Sequence, residues 1–314
     1  MIPIKVCFLG TPAFAAVHLN SLLRNPNYKV VGVVTQPDRP VGRKMQLTAS
    51  AVKVLASKNG LPVVTPENLR KEPSTFDIIK SWNADIAVVV AFGQILSQEF
   101  LENFKFGAVN IHGSLLPKWR GAAPIQRSLE AGNTEGGVAL QKMVKKLDAG
   151  AIIGERKILL SDDVTATVLY DRLAILGSEL LDLELLQYIN GELVPSEQDE
   201  ARVTVASKID KSESLIDWKM KAVAIHNRVR AFTMGPGTYI MFQGKRLKIL
   251  KTEVSSQSTL GTPGVLVAAE QNKLLVQTIE GILSILELQP ESKSKMTAGD
   301  FLKSHSLKKG DLFV

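Results

Sequence analysis

The residues best placed to do chemistry lie in the stretch VNIHGSLLP, Val109 to Pro117. Its start reads as a buried strand, and side chains two apart on a strand project to the same side. Asn110 and His112 therefore share a face just where the strand gives way to Gly113. An amide and an imidazole together supply donors for a developing oxyanion and a group that can move a proton. A second stretch, Gly137 to Gly150, runs from an apolar strand into a basic turn and then Leu147-Asp148-Ala149-Gly150. Taken alone, Asp148 reads better as a turn former, because Asp bonds its own backbone and Gly accepts positive φ. Nothing in the spacing brings Asp148 to His112.

The elements that must position these residues alternate strand and helix. Ile4–Leu9, Lys29–Thr35, Ile86–Val90 and Ala108–His112 read as strands, with helices over Ala13–Leu23 and Ala49–Lys58 between them. Ile86–Val90 is apolar throughout, as a parallel strand covered on both faces should be. Ser97 suits the N-cap of the next helix and Pro124 the first turn of another. This rhythm predicts an α/β fold with a doubly wound, mostly parallel, Rossmann-like sheet that binds ligands beyond the carboxyl ends of its strands. A long helix over Thr165–Ile189 stops at Gly191, and a polar string follows. Beyond it come short strands with tight turns at Gln243-Gly244 and Gln271-Asn272, the pattern of a small barrel. The expected division is a first domain at 1–190, a linker at 191–207 and a second domain at 208–314.

Charge is uneven along the chain. The formal net charge is +7, and residues 208–254 hold 10 Lys and Arg against 4 Asp and Glu. That concentration fits either a solvated face or a surface for a polyanion. Other chemistries lack their residues: there is no phosphate loop, no G-x-G-x-x-G fingerprint and no G-x-S-x-G elbow. The four histidines are scattered without metal-ligand spacing, so no metal is expected. The single Cys7 forms no internal disulfide and reads as core. No apolar run reaches the ~20 residues that cross a bilayer, and the start lacks a signal-peptide layout. A cytoplasmic protein is expected.

Asn110 to Pro117, continuing through Lys118-Trp119-Arg120-Gly121-Ala122-Ala123-Pro124, resembles the catalytic loop of the formyltetrahydrofolate-dependent formyltransferases, and Gly137 to Gly150 resembles their second signature. Within that superfamily the whole chain is similar to the methionyl-tRNA formyltransferases. Phe8 to Pro12 matches their opening, Thr35 to Lys44 their basic loop, and Ile216-Asp217-Trp218 with Arg228 to Phe232 their carboxyl-terminal domain. The resemblance implies an OB-like barrel as that domain. It implies formyl transfer from 10-formyltetrahydrofolate to the α-amino group of methionine on initiator tRNA, by a monomer and without a metal. The catalytic residues would be Asn110 and His112, holding the oxyanion, and Asp148, orienting the imidazole. Folate would lie on Phe92, Gly93, Gln94, Ile95, Leu96, Ser114, Leu115, Leu116 and Pro117. Contacts to tRNA would come from Arg39, Arg43 and Lys44 and from Lys208, Arg228, Arg230, Lys245, Arg246 and Lys248. Two alternatives stand beside this: a formyltransferase for an amino sugar nucleotide, and a non-catalytic tRNA-binding protein on the same scaffold.

Overall fold

A computed structural model describes residues 2–42, 45–255 and 261–313. Its contacts divide the chain into two units. The first comprises residues 1–121, 136–158 and 170–205; the second comprises 122–135, 159–169 and 206–314.

The first unit opens with β1 (Ile4–Gly10), α1 (Ala13–Arg24) and β2 (Tyr28–Val34), followed by a hairpin of β3 (Arg39–Val41) and β4 (Gln46–Thr48). Then come α2 (Ala51–Lys58), β5 (Val63–Val64), α3 (Pro73–Ser81), β6 (Ile86–Val90), α4 (Gln98–Glu102) and β7 (Ala108–His112). The short β8 (Arg120–Gly121) follows; helix α5 (Pro124–Glu130) belongs to the second unit, and the chain returns to the first with β9 (Glu135–Lys142), β10 (Ile152–Leu159) and most of α6 (Ala166–Ile189). Seven strands form one sheet in the order β10-β9-β7-β6-β1-β2-β5. Pairing is parallel from β5 to β7, whereas β9 runs antiparallel to β7. All five residues of β6 are buried, which explains its unbroken apolar run. Ser50 and Ser97 cap α2 and α4, their hydroxyls accepting from the Lys53 and Phe100 amides. The chain leaves β1 toward β2 and later returns to its other side as β6. The carboxyl ends of β1 and β6 thus flank the switch point where an open sheet offers a crevice.

Two features go beyond the sequence reading. The β3–β4 hairpin occupies the basic loop, and α3 lies in a region without a clear apolar period. The stretch 191–207, expected as a linker, is tied down instead. Gln198 is buried in it, and the short β11 (Val205–Ala206) pairs with β8.

In the second unit, α7 (Ala222–Ala231) precedes β12 (Thr238–Phe242), β13 (Lys245–Val254), β14 (Leu266–Glu270), β15 (Lys273–Gln277), β16 (Ile282–Pro290), β17 (Met296–Thr297) and α8 (Ala298–Lys303). The strands form one antiparallel sheet in the order β12-β13-β16-β15-β14, with β17 on β16. Gln243 and Gly244 both take positive φ in the two-residue β12–β13 turn, which matches the strands' twist. Alternate residues of β13, Leu247 and Ile249, enter a core shared with Ile225, Val229, Phe301 and Phe313. Among the described residues no helix is long and apolar enough to cross a membrane.

Candidate active site

Strand β7 delivers Asn110 and His112 to one face at its carboxyl end. Asn110 pairs across the sheet with Gln141 of β9, so the Gln141 side chain joins the same face. After β9 the chain turns at Asp148, whose φ of 48° is left-handed. Gly150 makes that turn possible, because a Cβ there would overlap the Lys142 carbonyl oxygen. The turn brings the Asp148 carboxylate to the imidazole: His112 Nδ1 lies 3.7 Å from Asp148 Oδ2. Both side chains are nearly closed to solvent, at 7% and 12% exposure.

Each partner is anchored on a backbone group. Asp148 Oδ2 accepts the Gly121 backbone N–H at 2.9 Å, and Oδ1 accepts from the Gln141 side chain at 3.3 Å. His112 Nε2 lies 2.9 Å from the Trp119 carbonyl. A carbonyl only accepts, so Nε2 carries the proton, and the Nδ1 edge is turned toward the carboxylate. Nε2–H is therefore engaged by the Trp119 carbonyl. Asn110 differs: it is half-buried, and its amide makes no hydrogen bond to any described residue. A buried amide normally has a partner. Here its N–H groups share a face with the imidazole of His112.

The folate loop predicted at Phe92–Leu96 lies at the switch point. Phe92 and Leu96 are buried in a core cluster with Phe100 and Leu101. The Phe92 carbonyl accepts from the Thr11 hydroxyl and the Gln36 amide. The Gln94 side chain bridges the Leu69 amide and the Pro66 carbonyl. Gly93 and Ile95 are exposed. On the second loop, Ser114, Leu116 and Pro117 are buried, Leu115 is half-buried, and the Ser114 hydroxyl donates to the Lys118 carbonyl. These loops therefore offer a ligand mainly backbone groups and the Ile95 side chain.

The predicted tRNA contacts separate into free and spent cations. Arg39 is exposed and pairs with Glu67 at 2.7 Å. Arg43 and Lys44 lie outside the described residues. In the second unit Lys208, Lys245, Arg246 and Lys248 are exposed. Arg246 lies over the Tyr239 ring at 4.7 Å and, with Lys248, Lys211 and Lys295, lines a cleft of about 760 Å³. Arg228 is bound to Glu130 at 3.0 Å. Arg230 is a correction: it is 6% exposed, donates to Asn227 and to the Ser161 and Val164 carbonyls, and is thereby withdrawn from any phosphate.

The sequence reading missed Gln141 and Gln198. Both are buried amides, and only the cross-strand register and the fold of the 191–207 segment reveal them. Among the described residues no cluster of three or more His, Cys, Asp or Glu could hold a metal ion.

Residues 4–184 match the model of the formyl transferase family, and residues 208–306 match that of its C-terminal domain. The chain belongs to the formyl transferase family. A methionyl-tRNA formyltransferase of Bdellovibrio bacteriovorus is 54% identical, covering 99% of both chains. The fold is also that of WlaRD, a sugar 3N-formyl transferase crystallised with dTDP and 5-N-formyl-THF (TM-score 0.68, 23% identity, 93% of this chain and 99% of that one). HypX of Aquifex aeolicus, solved with tetrahydrofolic acid, shares it at TM-score 0.61 and 16% identity, over 99% of this chain and 50% of that one. The site built above therefore sits on a formyl-transferring scaffold, at the ends of its central strands.

Proposed function

We propose that this chain transfers the formyl group of 10-formyltetrahydrofolate to the α-amino group of methionine carried by initiator tRNA. The product, N-formylmethionyl-tRNA, serves translation initiation. One observation carries the choice of acceptor: likeness at 54% identity to a methionyl-tRNA formyltransferase extends over essentially the full length of both chains.

The site's geometry fits this chemistry. Attack by the α-amine on the formyl carbon forms a C–N bond and places negative charge on the formyl oxygen. Collapse of that tetrahedral intermediate breaks the bond to N10, and tetrahydrofolate leaves with a proton on that nitrogen in place of the one the amine gives up. The free amide of Asn110 donates to that oxygen. One such donor is worth about 3–4 kcal/mol. The attacking amine must lose a proton, and the Asp148 carboxylate beside His112 is the base assigned to take it. His112 keeps its Nδ1 edge 3.7 Å from Asp148, so the carboxylate orients the imidazole. The exposed backbone at Ala91 and Gly93 would meet the pterin at the switch point. The cations of β13 support binding of a polyanion. A tRNA substrate supports a cytoplasmic reaction.

The test is a transfer assay with 10-formyltetrahydrofolate and three acceptors: methionyl-tRNA, uncharged tRNA and an amino sugar nucleotide. Formylation of methionyl-tRNA alone is expected; preference for the sugar nucleotide would overturn the reading. In the same assay Asn110→Ala should lower kcat by roughly 10²- to 10³-fold. Wild-type turnover in that variant would remove the oxyanion role.

A further inference from the structure

The segment after α6 reaches back to the catalytic pair at two points. Gln198, 9% exposed, donates from Nε2 to the Asp148 carbonyl at 2.9 Å and the Gly150 carbonyl at 2.7 Å. A weaker branch reaches Gln141 Oε1 at 3.3 Å, and Gln141 in turn donates to the Asp148 carboxylate. Gln198 Oε1 accepts from Nε and a terminal nitrogen of the buried Arg120, at 3.0 and 2.8 Å. A guanidinium only donates and carbonyls only accept, so the orientation of this amide is fixed by its neighbours. Six residues on, Thr204 Oγ1 accepts the Trp119 amide at 2.8 Å, and its carbonyl accepts the Arg120 amide at 2.9 Å.

Trp119 and Asp148 are the two residues that address the imidazole, one through its carbonyl and one through its carboxylate. Both have left-handed backbones, with φ of 63° and 48°. Non-glycine residues persist there only where their surroundings over-determine them. The same short segment supplies that restraint to both. We infer that Gln198, assisted by Thr204, is a positioning residue that sets the spacing of the His112–Asp148 pair. The inference rests on the reading above that this pair performs the transfer. Gln198 acts through Asp148 and touches no reacting atom. The buried Arg120 is its counterpart: its charge fixes the amide's direction rather than meeting a substrate.

The experiment uses the full-length enzyme with 10-formyltetrahydrofolate and methionyl-tRNA, measuring kcat and both KM values for Gln198→Leu alone and combined with Asp148→Asn. Gln198→Leu should lower kcat on the order of a hundredfold, the scale of an ångström of misplacement, with both KM values within about twofold of wild type. Combined with Asp148→Asn it should cause no further loss, because the group it positions is already gone. Unchanged kcat, or the same loss repeated in the Asp148→Asn background, would overturn the inference. An Asp148→Asn enzyme as fast as wild type would instead defeat the catalytic reading beneath it. Should Gln198→Leu fail to fold, the exposed Thr204→Val variant takes its place. Its kcat should fall about tenfold, and that loss should vanish in a His112→Ala background; full activity in Thr204→Val would count against the inference.

Discussion

Two histidines of the first unit are almost equally hidden from solvent, His18 at 0% and His112 at 6% exposure, yet their surroundings are opposites. His18 sits on α1 against the Phe14 ring, its Nδ1 2.7 Å from the Phe14 carbonyl. Its Nε2 is buried with no partner. Burial drives its pKa down from 6.5 to about 4, so the ring is neutral and functions as packing. Both nitrogens of His112 face oxygen, one a carbonyl and the other a carboxylate, and an unengaged amide shares its face. Burial is common to both. What sets His112 apart is the acid beside it and its place at the end of a strand.

The largest effect should come from exchanging the two roles. His112→Ala should cost about 10³-fold in transfer, within the range of lost acid–base catalysis, and leave tRNA affinity nearly unchanged. His18→Leu should keep transfer within about twofold. If the two variants lost activity equally, both histidines would be structural and the contrast would collapse.

A smaller effect sharpens the contrast through pH. The unfolded chain titrates His18 near 6.5, whereas the folded chain resists protonation until about 4. Between those values the unfolded state binds the extra proton, so this contribution to stability is whole above pH 6.5 and is lost as pH falls toward 4. The gap corresponds to roughly 3 kcal/mol. Urea unfolding of the first unit, followed by hydrogen exchange in β1 at pH 7 and pH 4.5, should show the loss in wild type. His18→Leu should flatten it, and an equally steep acid slope in that variant would reassign the effect to other groups.

The contrast between the histidines also marks how far sequence carries. The strand–helix alternation, the two polar residues at the end of β7 and the turn chemistry at Asp148, Gln243-Gly244 and Gln271-Asn272 are local patterns, and each is visible in a few neighbouring residues. The convergence of Asp148 on His112 is not local. It depends on β9 running antiparallel to β7 and on Gly150 packing against Lys142. Gln198 is further still, 50 residues from Asp148 in a polar string that reads as a linker. Arg230 misleads for the converse reason: a cation beside Arg228 looks exposed until the fold buries it against Ser161 and Val164. The resemblance to formyltransferases named His112 and Asp148 correctly as neighbours, but it gave no hint that Trp119 engages Nε2.

A third perturbation works from behind the site. Gly177 of α6 lies so close to His18 that a Cβ would overlap Nε2, and it would stand 3.1 Å from Ile111, the residue between Asn110 and His112 on β7. Alanine normally gains about 1 kcal/mol over glycine within a helix, but overpacking a core costs about 1–3 kcal/mol. Gly177→Ala should therefore destabilise the first unit by about 1 kcal/mol. In a His18→Ala background, where the obstructing ring is absent, the same substitution should become stabilising. Destabilisation of equal size in both backgrounds would show that Ile111, rather than the ring, sets the limit.

The smallest expected effect applies the same distinction to the cations of the second unit. Arg246 and Lys248 alternate with the buried Leu247 and Ile249 on β13, so they share its outer face, and both line the cleft with Tyr239. Among the described residues neither has a carboxylate partner within ion-pair distance, whereas Arg228 is held by Glu130 and Arg127 by Glu130 and Glu213. A cation that meets a phosphate releases a counterion on binding, and its removal lowers the salt dependence of affinity; a cation committed to the fold does not. Arg246→Ala and Lys248→Ala should each reduce the slope of log K against log salt by about one for tRNA binding. Arg228→Gln should leave the slope unchanged. Equal slopes in all three variants would move the tRNA surface away from β13, because an exposed charge that changes no salt dependence contacts no phosphate.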